Sequence, residues 1–398
     1  MRNTFRMQQV QAPVIPIIGD WVRSRPGAIS LGQGVVHYGP PKEAIEQYNR
    51  FLENPENHKY HAVEGIPILY DAIRDKLQNE NGIIIESHKN RQAGESVLCV
   101  TAGGNMAFMN AVLAITDPGD EIILLTPYYF NHEMAVRIAG AIPIAVPTDE
   151  NFQPDLPALR QAITSKTRAI VTVSPNNPSG AVYPESTLRA INELCRERGL
   201  YHINDEAYEY FTYEEAVHFS PASIEHSAGH TVSLFSLSKS YGFAGWRIGY
   251  MVYPVHLDES VKKIQDTILI CPPLVSQYAA CGALSVGSSY CLERLPEKAG
   301  VRSIMLEELD SIREICRTAR TQGAFYLLVR MEADLDEMQL IERLIRDFGV
   351  AVMPGRSFGL TGGCFFRVSY GSLQKETAVE GMRRLVAGLK TIAGAYNS

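Results

Sequence analysis

The chain has 398 residues, 45% hydrophobic and 20% charged, the balance of a globular protein long enough for one large and one smaller domain. Its formal net charge of −7 argues against a nucleic-acid surface, which needs a basic excess, and no apolar run approaches the roughly 18 residues of a membrane span. Seven cysteines, scattered from Cys99 to Cys364 without a CxxC pair, read as free thiols of a reducing compartment, so the expectation is a cytoplasmic protein with neither nucleic-acid nor membrane partners and no bound metal.

Near the start, residues 14–18 are apolar, but two prolines interrupt them and no small-residue cleavage site comes after. From residue 96 short β-rich runs alternate with longer helical patterns, the signature of an α/β parallel sheet. The spacing predicts strands over 96–100, 121–125, 142–146, 169–173, 201–204, 231–236 and 248–253. Helical patterns fall at 106–115, 131–139, 156–163 and 185–198. The first of these, MAFMNAVLAI, is apolar nearly all round, as suits a helix packed against a sheet. A long helical region is predicted over 258–320, and the tail mixes strands (324–329, 365–369) with helices (336–348, 375–393). The expected fold class is α/β, a large domain with a mostly parallel seven-stranded sheet sandwiched by helices, plus a smaller α+β domain. The expected division is 1–40 as an N-terminal segment joining the small domain, 41–284 as the large domain and 285–398 as the small one.

Open α/β sheets bind ligands outside the carboxyl ends of their strands. The residues just past each predicted strand are therefore a functional test. The strand ends lead into TAGGNMA, TPYYFN, SPNNPSG, DEAYE and SLSKS, rich in Gly, Asn, Asp, Tyr, Ser and Lys. Singly, each segment has a plainer reading. Thr101 to Asn105 is either a phosphate cradle at a helix N-terminus or a strand-to-helix turn, and it matches neither GxGxxG nor GxxxxGK[ST]. Asn177 lies in a Pro-rich turn, and Asp205 suits a helix N-cap. Their convergence on one sheet edge is what points to a site.

Lys239 is the pivot. A lysine at an interior sheet edge is costly unless paired or used covalently, and desolvation makes it a nucleophile toward carbonyls. The serines beside it can bind a phosphate, and Arg247 can neutralise the charge. An aldehyde that also carries a phosphate matches this stretch, and pyridoxal 5′-phosphate is such a molecule. Ser236 to Lys239 also satisfies the S-x-x-K signature of penicillin-recognising serine enzymes, but the S-D-N and K-T-G elements are absent.

The ordered set PNNPSG, NDEAY, SLSK, GWRIGY and FRVSY resembles fold-type-I pyridoxal-phosphate enzymes, specifically the class I/II aminotransferases related to aspartate aminotransferase. The resemblance runs from LGQGV near residue 31 to FRVSY near 366. It implies that Lys239 binds the cofactor as an imine and then moves the substrate α-proton. Asp205 would pair with the pyridinium nitrogen, Asn177 and Tyr208 with the ring 3-oxygen, and Tyr129 would stack on the ring. Gly103, Gly104, Asn105, Ser236, Ser238 and Arg247 would hold the phosphate. Tyr60 would reach the phosphate of a neighbouring subunit, which implies a homodimer with shared sites. Arg367 would clamp the substrate α-carboxylate, with Gly34 close to the same group.

Asn105 stands where some prokaryotic aspartate aminotransferases carry a lysine for a second carboxylate. With LGQGVVHYGPP, TPYYFNHEMA and PPLVSQYAA, this is similar to a subgroup acting on aromatic amino acids and methionine. Tyr38, Tyr60, Tyr129 and Phe130 are candidates for an aromatic wall. The expected function is amino-group exchange between such an amino acid and a 2-oxo acid by a ping-pong mechanism. The alternatives are an aspartate-type aminotransferase, a carbon–sulfur β-lyase on the same fold, or a non-catalytic protein that keeps the cofactor domain.

Overall fold

In the computed structural model residues 4–85, 94–333 and 335–396 are described, so the extreme ends of the expected outer segments, residues 1–3 and 397–398, lie outside the described residues. The first strand, β1 (Ile29–Ser30), stands apart from the large sheet. That sheet comprises β2 (Ser96–Thr101), β3 (Glu121–Thr126), β4 (Ile142–Pro147), β5 (Thr167–Val173), β6 (Tyr201–Asp205), β7 (Thr231–Ser236) and β8 (Gly249–Pro254). Their order is β2-β8-β7-β6-β5-β3-β4, and only β8 runs antiparallel to its neighbours. Every residue of β2 and β8 is buried, as a sheet covered by helices on both faces requires. The helix Gly104–Ile115 buries Ala107, Phe108, Ala111 and Val112, which explains its nearly uniform apolarity.

The single reversed strand matters for the site. An antiparallel strand begins at the edge where its parallel neighbours end, and Gly249, the first residue of β8, pairs with Thr101 and Ser236, the last residues of β2 and β7. Arg247, two residues earlier, is thereby delivered to the same edge as the strand-end loops.

The rest of the chain adds β9 (Cys316–Thr318), β10 (Tyr326–Met331), β11 (Val350–Ala351), β12 (Met353–Pro354) and β13 (Cys364–Ser369). An antiparallel sheet of order β12-β13-β10-β9 carries the helices Leu295–Asp310, Glu337–Phe348 and Lys375–Tyr396. β1 pairs in parallel with β11, Ile29 against Val350, and Ile18 and Leu31 share a buried cluster with Met305, Leu344, Val350 and Leu385.

One expectation needs correcting, and one stretch left without an element gains one. The interrupted apolar stretch is a helix, Val14–Arg23. Pro13 is its N-cap and Pro16 lies in its first turn, where a backbone N–H has no intrahelical acceptor and its loss costs nothing. The long helical region is divided into Asp258–Leu269, Leu274–Ser285, Ser289–Leu292 and Leu295–Asp310, and its end is the strand β9. Pro272 and Pro273 separate the first two helices, and Pro273 serves as N-cap of the second.

Candidate active site

A cavity of about 620 Å³ lies at the carboxyl edge of the large sheet, under the small sheet. From the strand-end loops it is lined by Gly104, Asn105, Tyr129, Asn177, Asp205 and Tyr208, and also by Ser236, Ser238, Lys239 and Arg247. Gly34 and Arg367 face them from the other side, with Tyr326 and Met353. Thirteen of the fifteen predicted site residues therefore surround one space or, in the case of Gly103, cap the helix that borders it.

Lys239 sits in a single helical turn, Leu237–Ser240, whose N-cap Ser236 accepts from the Ser238 N–H at 3.2 Å. Its Nζ donates to the Gly34 carbonyl at 2.5 Å. Burial, followed by the nearby Arg367 and Arg247 guanidinium groups, brings the amine pKa down to about 8, with Asp205 opposing. Neutral amine is thus accessible where an ordinary lysine is protonated.

Asp205 ends β6. One carboxylate oxygen accepts from the Ala207 N–H at 3.0 Å, and the other lies 3.1 Å from Nε2 of His132. The buried His132 ring stacks on Phe108 at 3.9 Å and meets the edge of Tyr129 at 5.2 Å. His132 escapes the sequence reading. Its signal is its position three residues after Tyr129, in the first turn of the helix Phe130–Ala139, where it shares a face with that aromatic.

At the other pole, the helix Gly104–Ile115 begins without a side-chain cap, leaving its first N–H groups directed at the cavity edge. Its N-cap, Gly103, has φ +82°, and a Cβ there would stand 2.5 Å from Nη2 of Arg247. The guanidinium is held by carbonyls at both ends of this cradle, donating to Ala244 at 2.9 Å and Ala102 at 3.4 Å.

Arg367, only 3% exposed, donates to Oδ1 of Asn177 at 2.8 Å and to the Gly32 carbonyl at 2.7 Å. Its Nε has no hydrogen-bond partner among the described residues. A buried guanidinium with a donor to spare is built for an incoming anion. Asn177 also donates toward the Tyr208 hydroxyl at 3.5 Å, and that hydroxyl lies 2.7 Å from the one on Tyr326. Burial raises the Tyr208 pKa strongly, so it stays a neutral phenol.

Two anticipated residues lie elsewhere. Tyr38 does not line the cavity but packs behind the lysine turn, its hydroxyl bonded to the Lys239 carbonyl at 2.9 Å. Tyr60 is 78% exposed and also lies off the cavity of its own chain. Of the anticipated wall, Tyr129 and Phe130 do line the cavity, and the rest of the apolar lining comes from Met353 and one face of the helix Val14–Arg23, namely Ile15, Ile18 and Val22.

The set fits pyridoxal 5′-phosphate: a low-pKa amine, a carboxylate backed by histidine, and a phosphate cradle whose glycine leaves room only for the guanidinium. With a carboxylate receptor opposite the amine, on an α/β fold of this topology, it defines a pyridoxal-phosphate enzyme acting on amino acids. The chain belongs to the aminotransferase class I and II family, whose pattern matches residues 26–385. It is 34% identical to the aromatic aminotransferase ISS1 of Arabidopsis thaliana, over 96% of this chain and 94% of that protein. It is 35% identical to a probable aspartate/prephenate aminotransferase of Aquifex aeolicus, over 92% of this chain and 91% of that one. The structure of aspartate aminotransferase from Thermus thermophilus with maleate matches with a TM-score of 0.88 at 32% identity, covering 98% of this chain and all of that one. The protein is a transaminase that moves an amino group between an amino acid and a 2-oxo acid, and its family uses pyridoxal phosphate.

Proposed function

We propose that the enzyme takes aromatic amino acids or methionine as donors, in a ping-pong exchange with a 2-oxo acid. The observation that carries this reading is the apolar stripe of Ile15, Ile18 and Val22, continued by Phe130 and Met353. Arg23, on the same helix, borders the cavity at its exposed rim, where it pairs with Asp20. Asn105 provides no positive charge for a second carboxylate. The relatives named for aromatic substrates support the same preference.

Bound pyridoxal phosphate supplies an electron sink for the pair released when the substrate Cα loses its proton. The chain's own residues do the rest. Lys239 would anchor the cofactor, then move the substrate Cα proton, burial bringing its amine pKa down to about 8 so that the neutral base is accessible. Asp205, oriented by His132, would hold a positive charge on the ring nitrogen. Asn177 and Tyr208 would hold the ring oxygen, Tyr129 the ring face, and Gly103, Gly104, Asn105, Ser236, Ser238 and Arg247 the phosphate. Arg367 would orient the substrate through its α-carboxylate, near Gly34.

The division into 1–40, 41–284 and 285–398 is proposed on the pairing of β1 with β11 and on the shared cluster around Leu31. A homodimer in the cytoplasm is proposed as well, with Tyr60 serving the partner's phosphate. In support, the ring of Tyr60 projects into solvent and its own chain gives it no place at the cavity.

The test is a half-reaction panel. Holoenzyme is mixed with each amino acid and the loss of the visible imine absorbance is monitored. Fast reaction with Phe, Tyr, Trp and Met is expected; fast reaction with Asp and Glu alone would overturn the preference. Pyruvate and ammonia formed from cysteine derivatives without added oxo acid would indicate the lyase instead.

A further inference from the structure

The geometry points to Tyr38 as a positioning residue for Lys239: its hydroxyl fixes the carbonyl end of the lysine while the same loop holds the amine end. Resting on the assignment of Lys239 as the cofactor-binding lysine, this gives Tyr38 a task different from that of a substrate wall. A one-turn helix leaves its last carbonyls without intrahelical donors. Those of Lys239 and Ser240 are met from outside by the Tyr38 hydroxyl, at 2.9 and 3.4 Å. Four residues earlier, the Gly34 carbonyl accepts from Lys239 Nζ at 2.5 Å. The segment from Gly34 to Tyr38 therefore holds one residue at two points, the main-chain carbonyl of Lys239 and its side-chain amine.

The loop is also clamped in place. Gly242, three residues past the lysine, has φ +67°, and a Cβ there would come within 2.5 Å of the Tyr38 carbonyl and 2.7 Å of the Gly39 carbonyl. No other residue type lets the loop and the lysine turn meet so closely. On its outer side the Tyr290 hydroxyl donates to the Gly39 carbonyl at 2.7 Å. Arg294 lies over the Tyr290 ring at 3.8 Å and over the Tyr38 ring at 4.9 Å. The Cys291 sulfur, 3.6 Å from the Tyr38 hydroxyl, completes its surroundings. Burial keeps this hydroxyl protonated and thus a permanent donor.

Proton transfer depends on the amine's position to a fraction of an ångström, so a released carbonyl should slow that step and leave substrate binding intact. Tyr38→Phe keeps the ring packing and removes only the donor. We expect kcat to fall about tenfold with the donor KM changed less than about twofold, and the isotope effect with Cα-deuterated phenylalanine to increase. Cofactor-free protein should also condense with pyridoxal more slowly, a readout independent of turnover. Tyr290→Phe, which removes a hydrogen bond from the same loop but none to Lys239, is the control and should raise the isotope effect clearly less than Tyr38→Phe does. Unchanged kinetics in Tyr38→Phe, or the same losses in both variants, would overturn the inference. Lys239→Ala, which tests the lysine itself, must lose the imine band and turnover; if it does not, the assignment beneath the inference fails.

Discussion

Lys239 shows how a residue's reactivity is set by what surrounds it. Burial and two guanidinium groups bring its pKa from 10.5 to about 8, so the neutral nucleophile appears at a lower pH than for a free lysine. In cofactor-free protein, the rate of condensation with pyridoxal should rise with pH and level off above about 8. Replacing Arg367 by a neutral residue removes the largest of the charge contributions, so Arg367→Met should move that midpoint upward. The same variant would also lose the proposed α-carboxylate receptor. Its kcat/KM should fall roughly a hundredfold or more, the equivalent of about 3 kcal/mol of lost charged hydrogen bonding. Steady-state kinetics with an amino acid and with the corresponding amine separate the two effects, since an amine has no carboxylate to lose. A midpoint that stays at the wild-type pH would show that Arg367 does not set the lysine's charge.

The helix Val14–Arg23 is the element whose role is least legible in the sequence. Its two prolines disguise a helix, because sequence patterns treat proline as a breaker and only its place in the first turn makes it harmless. Most of the seven sheet strands are legible for the opposite reason: they are apolar runs ended by turn residues, and burial on both faces enforces the pattern in strands such as β2 and β8, though not in the partly exposed edge strand β4. The strand-end residues come with the strands, whereas His132 and the placement of Tyr38 do not. One is hidden in a helix, the other in a loop whose aromatic could face either way until the fold places it. The N-terminal helix offers the clearest test of substrate preference. Ile18 is buried against the cavity, so Ile18→Asn sets an amide where an aromatic ring would lie. Half-reaction rates with phenylalanine should drop about tenfold and those with aspartate should hold or rise, while the melting temperature should fall, because Ile18 also belongs to the buried cluster around Leu31. Equal losses for both donors would show that the helix contributes stability and not selectivity.

At the scale of the whole molecule, the chain converges from both ends on one sheet edge. The reversed β8 brings Arg247 there, β1 and β13 bring Gly34 and Arg367, and the parallel strands supply the remainder. Tyr60, like Tyr38, is a predicted participant that does not line the cavity. If it acts on a neighbour, each site of a dimer needs Lys239 from one subunit and Tyr60 from the other, a requirement that two defective chains can meet together. A hybrid of Lys239→Ala with Tyr60→Ala has one site lacking both groups and one site with both intact. Random assortment makes half the dimers hybrid, so co-folded material should regain about a quarter of wild-type activity, while each variant alone stays low. A Tyr60 that served its own chain would leave no intact site in any combination. Recovery on mixing therefore requires a shared site, and its absence, with dimers shown by sedimentation, would confine the active site to the single chain.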